Sequence, residues 1–351
     1  MSARRLSLLG SLALLAVALV TLLIPLAMTD AMLTVYVFIG LYTVVVIGLS
    51  LLMGYAGQVS LGQGSFFAIG AYGAALLTMR AGVPPLLSLV AACAGTGLLA
   101  ALVGLPLLRL RGHYLAFATL AFQLIVLSVI GEASGLTGGD TGLTGIPTLS
   151  AGPWQLAGRY RVFAFAYVAW VLVAGALLMS RNLVRSRPGR ALRALATSER
   201  GALASGVRVG RYKLQVFAFS AALAGLSGGV FAFFAGYLAP ETFPILLSVE
   251  FLLMAAVGGM RSIFGSLVGT ALIYLLLQVL QAIGTLPGMS VRVPVILSYA
   301  VYAIVLIGIL LLLPQGIVPS IQAALGRLFD ASRTPHPDPE ATPEPEPGRR
   351  G

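Results

Sequence analysis

The chain has 351 residues, of which 58% are hydrophobic and only 9% charged, with a mean hydropathy of +0.98. A water-soluble globule of that composition would expose large contiguous apolar patches, so the composition excludes one and points to a polytopic membrane protein. The net charge of +11 rests on arginines placed mainly between apolar stretches. That pattern speaks for membrane topology and anionic lipid headgroups, not for nucleic acid.

Apolar segments of roughly spanning length fall near 7–28, 32–53, 65–79, 84–108, 114–131, 162–180, 214–236, 246–260, 263–283 and 293–313. They predict an all-α polytopic integral membrane protein with about ten transmembrane helices (8–11). Two of them, 65–79 and 246–260, are short and read as tilted, buried or re-entrant. The first has a longer apolar core than a secretory signal, and Leu26-Ala27-Met28-Thr29-Asp30 makes a poor cleavage site, so 1–29 is expected to stay as an N-terminal transmembrane helix. Arg4 and Arg5 put the N-terminus in the cytoplasm. Alternation then places Arg109 and Arg111 inside, Glu132 to Arg161 outside, and both the 181–213 loop and the C-terminus inside. Arg80, Arg159, Arg161 and Arg292 run against that count.

Glycine clusters in Gly54-Tyr55-Ala56-Gly57-Gln58-Val59-Ser60-Leu61-Gly62-Gln63-Gly64-Ser65, too glycine-rich for an uninterrupted helix. Non-helical backbone at membrane depth persists only where protein or a watery cavity satisfies it. Gly57, Gln58, Ser60, Gly62 and Gln63 are therefore candidates for a broken or re-entrant segment lining a translocation path. Close helix contact through small residues and interhelical hydrogen bonds is the alternative, and it suits Gly70 and Gly73 better. A second interruption, around Gly258 and Gly259, lies in the other half of the chain, and paired breaks point to a central site. Glu250, upstream of it in an apolar segment, is either a path residue or a paired structural carboxylate at the outer interface.

Between the spans lies a polar island, Ser180 to Lys213, with nine basic residues and one acid, Glu199. It is longer than a minimal turn, and its small residues suit close packing against a cytoplasmic protein. Pro188 can open a short helix and Gly206 can close one, and two helices split near Thr197-Ser198 fit equally well. From Asp330 onward a Pro/Glu run cannot bury enough surface to fold, so 321–351 is expected to be a disordered cytoplasmic tail.

The inventory lacks chemistry. One cysteine, Cys93, excludes an internal disulfide, and two histidines, His113 and His336, cannot build a His/Cys metal cluster. No phosphate-binding GxxxxGK[ST] loop is present, since the single lysine, Lys213, stands between Tyr212 and Leu214. No nucleophile elbow or histidine–acid pair occurs, so no catalytic residue, cofactor or metal is expected. Few acids lie within spans, which weakens a proton- or sodium-coupled carrier. Such a transporter needs an outside energy source, and the basic loop offers it a docking place.

At these residues the chain resembles the permease subunits of ABC importers for branched-chain amino acids, of the LivM type. The likeness runs through Gly54 to Gly62 with Phe66 to Tyr72, Arg111-Gly112-His113-Tyr114-Leu115-Ala116 with Thr119-Leu120, and Leu136-Thr137-Gly138-Gly139 to Gly142-Leu143. It continues through Pro188-Gly189-Arg190-Ala191-Leu192-Arg193-Ala194, Tyr212-Lys213-Leu214, Phe217 to Gly229, Gly258-Gly259 and Pro314-Gln315-Gly316-Ile317. It covers roughly 30–320, which makes that region the permease domain.

The resemblance implies a heterodimer with a second homologous permease, two cytoplasmic ABC ATPase subunits and an extracytoplasmic solute-binding protein. The setting it implies is the bacterial inner membrane, surrounded by membrane lipids. The solute would be leucine, isoleucine or valine, although close relatives carry urea, short amides or aromatic acids. Residues 188–206 would form the coupling element that enters the ATPase, with Pro188, Gly189, Arg190, Arg193, Ala194, Glu199, Ala202 and Gly206 as its site residues. Two departures stand out. Gln63 replaces the family's usual histidine after Ser-Leu-Gly, and Arg200 occupies the acidic position six residues before Gly206, with Glu199 one place off. A stand-alone channel or secondary carrier, and a membrane-embedded enzyme, are the rival readings.

Overall fold

The computed structural model describes residues 24–110, 112–151, 154–155 and 158–284, together with 300, 303–304, 307–308 and 316–320. Expectations for Arg4, Arg5, Arg111, Arg292, His336 and the Pro/Glu tail lie outside the described residues, as do nearly all of the first span and most of 293–313. Among the described residues, ten helices longer than one turn carry the architecture: α1 (Asp30–Ala56), α2 (Gln63–Met79), α3 (Pro85–Leu107), α4 (His113–Glu132), α5 (Arg161–Arg185), α6 (Arg187–Thr197), α7 (Glu199–Ala204), α8 (Val209–Ala235), α9 (Ile245–Gly258) and α10 (Ile263–Gly284). Single helical turns and two-residue strand pairs connect them. Each apolar segment expected between 32 and 283 coincides with one of these helices.

Among the described residues, seven helical stretches are long and apolar enough to cross a membrane. The segments expected to be short are short: α2 has 17 residues and α9 has 14. Helix is the conformation that apolar runs must take in hydrocarbon, because it satisfies every backbone polar group within the segment. The chain is an all-α, multi-pass membrane protein.

Helices α1 and α8 form the centre. In their most apolar stretches 83% and 78% of residues are buried, against 28–33% for α3, α4, α5 and α10. The outer helices thus present apolar faces such as Leu98, Leu102, Ile125 and Val171 to their surroundings. α2 crosses α8 with backbones in contact. A Cβ on Gly70 would lie 2.1 Å from the Gly225 carbonyl oxygen, and one on Gly228 would lie 1.9 Å from that of Phe67. No residue but glycine fits such a crossing. Gly73, whose added Cβ would meet Ala92 at 3.6 Å, makes only ordinary contact. Hydroxyls bind α8 and α10 to α1: Ser227 Oγ donates to the Leu41 carbonyl at 2.6 Å, and Ser266 Oγ to Ser50 Oγ at 2.9 Å. Edge-on aromatic pairs fill the centre, with Tyr42 against Phe251 at 5.1 Å and against Tyr274 at 5.5 Å.

At the end away from α6, Leu143–Thr144 pairs antiparallel with Tyr237–Leu238. Two of the arginines that ran against the charge count have structural employment there. Arg80 donates to the Gly135 carbonyl at 2.5 Å. Arg161 donates to the carbonyls of Phe233 and Phe234, in the last turn of α8, where a cation offsets the helix dipole.

Candidate functional site

Helix α1 stops at Gly57, whose φ of +65° is the left-handed conformation that side-chain-bearing residues adopt poorly, and the Gln58 N–H turns back to the Leu52 carbonyl at 3.2 Å. Residues 57–62 are not helical, yet Gln58, Ser60 and Gly62 are buried. Gln63 Nε2 donates to Ser220 Oγ at 3.0 Å, and Gly48 of α1 packs on the same Ser220. Gln63 is therefore level with Gly48, about 12 Å back from the end of α1 at the rise of a helix. The broken segment folds back into the bundle before α2 begins.

Backbone N–H groups of this segment and of the first turn of α2 are satisfied by side chains from two other helices, α4 and α9. The Leu61 N–H donates to Thr119 Oγ1 at 2.9 Å, and the Gly64 N–H to Ser248 Oγ at 2.7 Å. Ser248 in turn donates to Gln123 Oε1, and Gln123 Nε2 to the Pro244 carbonyl at 3.3 Å. The first turns of α2 and α9 thus converge on one polar cluster inside an apolar bundle. Gln58 and Gln63 each keep a buried side-chain carbonyl oxygen without a hydrogen-bond partner among the described residues. An unpaired buried acceptor is costly unless a ligand or water meets it. Gln63 makes the interhelical hydrogen bond of one sequence reading, and its Oε1 adds a buried acceptor beside it. Gln123, Ser220 and Ser248 were not among the expected site residues. Their signal was an amide or hydroxyl within an apolar span.

Glu250 does not join this cluster. It follows Ser248 by two residues, about 200° around the helix, so it faces elsewhere. It is half-buried and forms no ion pair among the described residues, where Lys213–Glu199 is the one such pair.

Gly258 and Gly259 also have a different setting from Gln63. An added Cβ on Gly258 would lie 1.9 Å from the Gly265 carbonyl oxygen, so α9 and α10 touch through their backbones. Gly259, at φ +104°, makes the reversal between them. The reversal abuts the end of α1: Tyr55 donates to the Arg261 carbonyl at 3.2 Å, and a Cβ on Gly54 would strike the Met260 carbonyl at 2.1 Å.

The basic loop folds as two capped helices. Ser186 accepts from the Gly189 N–H at 3.4 Å to start α6, and Ser198 accepts from the Gly201 N–H at 3.1 Å to start α7. Pro188 sits in the first turn of α6, and Gly189 lies against the carbonyls of Leu183 and Val184. Gly206, at φ +77°, closes α7 with its N–H on Leu203 and that of Val207 on Ala202, both at 3.0 Å, which is a Schellman cap. Glu199 pairs with Lys213 at 2.9 Å and ties α7 to α8. Arg187, Arg190, Arg193, Ala194 and Leu203 are exposed, whereas Ala202 is buried against Leu195 and Val209. Ala202 holds the loop together and is not part of its outer face. Arg261 reaches the Ala196 carbonyl at 3.4 Å, joining the second break to α6.

A family model described as the permease component of the branched-chain amino acid transport system matches residues 31–310. The high-affinity branched-chain amino acid transport system permease protein LivM of Escherichia coli K12 is 31% identical over 315 residues, covering 81% of this chain and 69% of that protein. A probable LivH permease of Methanocaldococcus jannaschii is 30% identical over 308 residues, covering 84% and 94%. No solved structure matches the chain significantly. With four fifths of its length matched, the chain belongs to the family of branched-chain amino acid transport system permease components.

Proposed function

We propose that this chain is the transmembrane permease subunit of a bacterial inner-membrane ABC importer for leucine, isoleucine and valine. It pairs with a second homologous permease to form the translocation path. Two cytoplasmic ATPase subunits drive it, and an external binding protein delivers the solute. The match over residues 31–310 carries this reading, and the names of the LivM and LivH relatives support the solute. The path runs past the Gly57–Gln63 break, where two buried amide oxygens await a partner. The outer face of α6 and α7, with Arg190, Arg193 and Leu203, enters the ATPase. Both termini lie in the cytoplasm, and 30–320 forms the permease domain.

The test is uptake of radiolabelled leucine into proteoliposomes holding this chain with its permease partner, the ATPases and loaded binding protein. Uptake must require ATP and every component. Uptake without the ATPases would mean a stand-alone carrier, and uptake of urea or amides without leucine would replace the solute. Reporter fusions after Arg193 and after Asp140 must report cytoplasm and exterior respectively.

A further inference from the structure

Between α5 and the start of α10 lies a cavity of about 550 Å³ that takes no part in the polar cluster. Its wall is apolar along Trp170, Val173, Leu177 and Leu267, and its rim carries Arg181, Arg185 and Arg261. Arg181 and Arg185 are one helical turn apart and repel each other unless an anion lies between them. No carboxylate pairs with any of the three among the described residues, and Glu199 is engaged by Lys213. From Trp170 to Arg181 the wall runs about 16 Å, close to one leaflet of a ~30 Å hydrocarbon core. A greasy channel one leaflet deep with guanidiniums at its mouth matches one kind of molecule. Arg forks take a phosphodiester in bidentate fashion, and the channel takes an acyl chain.

We propose that this groove is a binding site for an anionic phospholipid. The headgroup phosphate sits on Arg181, Arg185 and Arg261, and one acyl chain runs along α5 to Trp170. Arg261 also touches the end of α6, so the bound lipid braces the base of the basic loop. The inference needs only the membrane setting, not the identity of the transported solute.

Trp170 makes the site observable, since the chain has just one other tryptophan, Trp154. The full-length Trp154→Phe protein is reconstituted, with partner subunits whose tryptophans are replaced by Phe, in phosphatidylcholine vesicles. A minor fraction of the lipid is brominated in its acyl chains, either as phosphatidylglycerol or as phosphatidylcholine. Brominated phosphatidylglycerol is expected to quench Trp170 at a much lower mole fraction than brominated phosphatidylcholine. That preference should fall about fivefold per arginine removed, so on the order of a hundredfold in R181Q/R185Q/R261Q. Unlabelled phosphatidylglycerol should reverse the quenching, whereas soluble glycerophosphate should not. A174F, which fills the groove and leaves the arginines in place, should abolish quenching by both lipids. Should the triple variant fail to fold, raised salt weakens the preference in the parent protein and serves as the second measurement. Equal quenching by the two lipids would overturn the proposal, leaving ordinary lipid contact. Absence of quenching by either would also overturn it, since a protein segment or a partner subunit would then cover the groove.

Discussion

Single residues decide whether the broken segment keeps its shape. Among the described residues nothing lies within 4 Å of a Cβ added at Gly57, so substitution there meets backbone strain and no clash with them. Asn tolerates the left-handed conformation, and β-branched residues do not. Gly57→Asn is therefore expected to transport near the parental rate. Gly57→Val should lose about 1–2 kcal/mol of stability and most of its uptake, read by thermal unfolding in detergent and by the proteoliposome assay. Equal behaviour of the two variants would show that the conformation at this position is unimportant. Ser248 is a second such point, because its hydroxyl accepts from Gly64 and donates to Gln123. Ser248→Ala leaves a buried N–H and a buried amide oxygen unpaired, at a cost of about 1–3 kcal/mol each. The expected result is a clear fall in the unfolding temperature with assembly intact. An unchanged melting profile would mean that water replaces the hydroxyl.

At the scale of the element, the two-helix loop separates docking from folding. Leu203 is an exposed apolar side chain on α7, while its neighbour Ala202 is sealed against Leu195 and Val209. Leu203→Asp is expected to weaken retention of the ATPase in pull-down and to lower stimulated ATP hydrolysis, with α6 and α7 still folded. Ala202→Glu buries a carboxylate in an apolar cluster and should unfold the loop itself, seen as new protease cleavage between residues 187 and 208. Gly206→Val breaks the left-handed cap of α7 and should behave like Ala202→Glu in milder form. Parental ATPase retention and hydrolysis in all three would reduce the loop to a solvated charged connection.

Over the whole molecule, the crossing of α2 and α8 sets the bundle. Gly228→Leu drives a side chain into the Phe67 backbone and should abolish accumulation of folded protein, a cost beyond the ~3 kcal/mol of ordinary overpacking. Gly95, on the exposed side of α3 with no described residue within 4 Å of an added Cβ, should accept leucine without loss. The comparison is the monodisperse fraction after extraction, and comparable yields for the two would contradict the backbone-to-backbone contact. The same crossing brings Gln63 to Ser220 of α8, so a variant that loosens it should also lose transport.

The sequence by itself determined the spans between 32 and 283, the two breaks, and the basic loop with Pro188 and Gly206 at its ends. Each follows from a local requirement: hydrocarbon demands apolar helix, left-handed backbone demands glycine, and the first turn of a helix spares the N–H that proline lacks. Tertiary structure alone decided the rest. The helices α1 to α4 are apolar on every side, so nothing in their patterns sets rotation or depth, and the meeting of Gln63 with Ser220, Gln123 and Ser248 could not be read from spacing. Glu199 stands one place off the expected position, yet it finds Lys213 fourteen residues away, because the fold of the loop, not register, brings them together. Arg80 and Arg161 broke the charge rule for a similar reason: each caps carbonyls that only packing places within its reach.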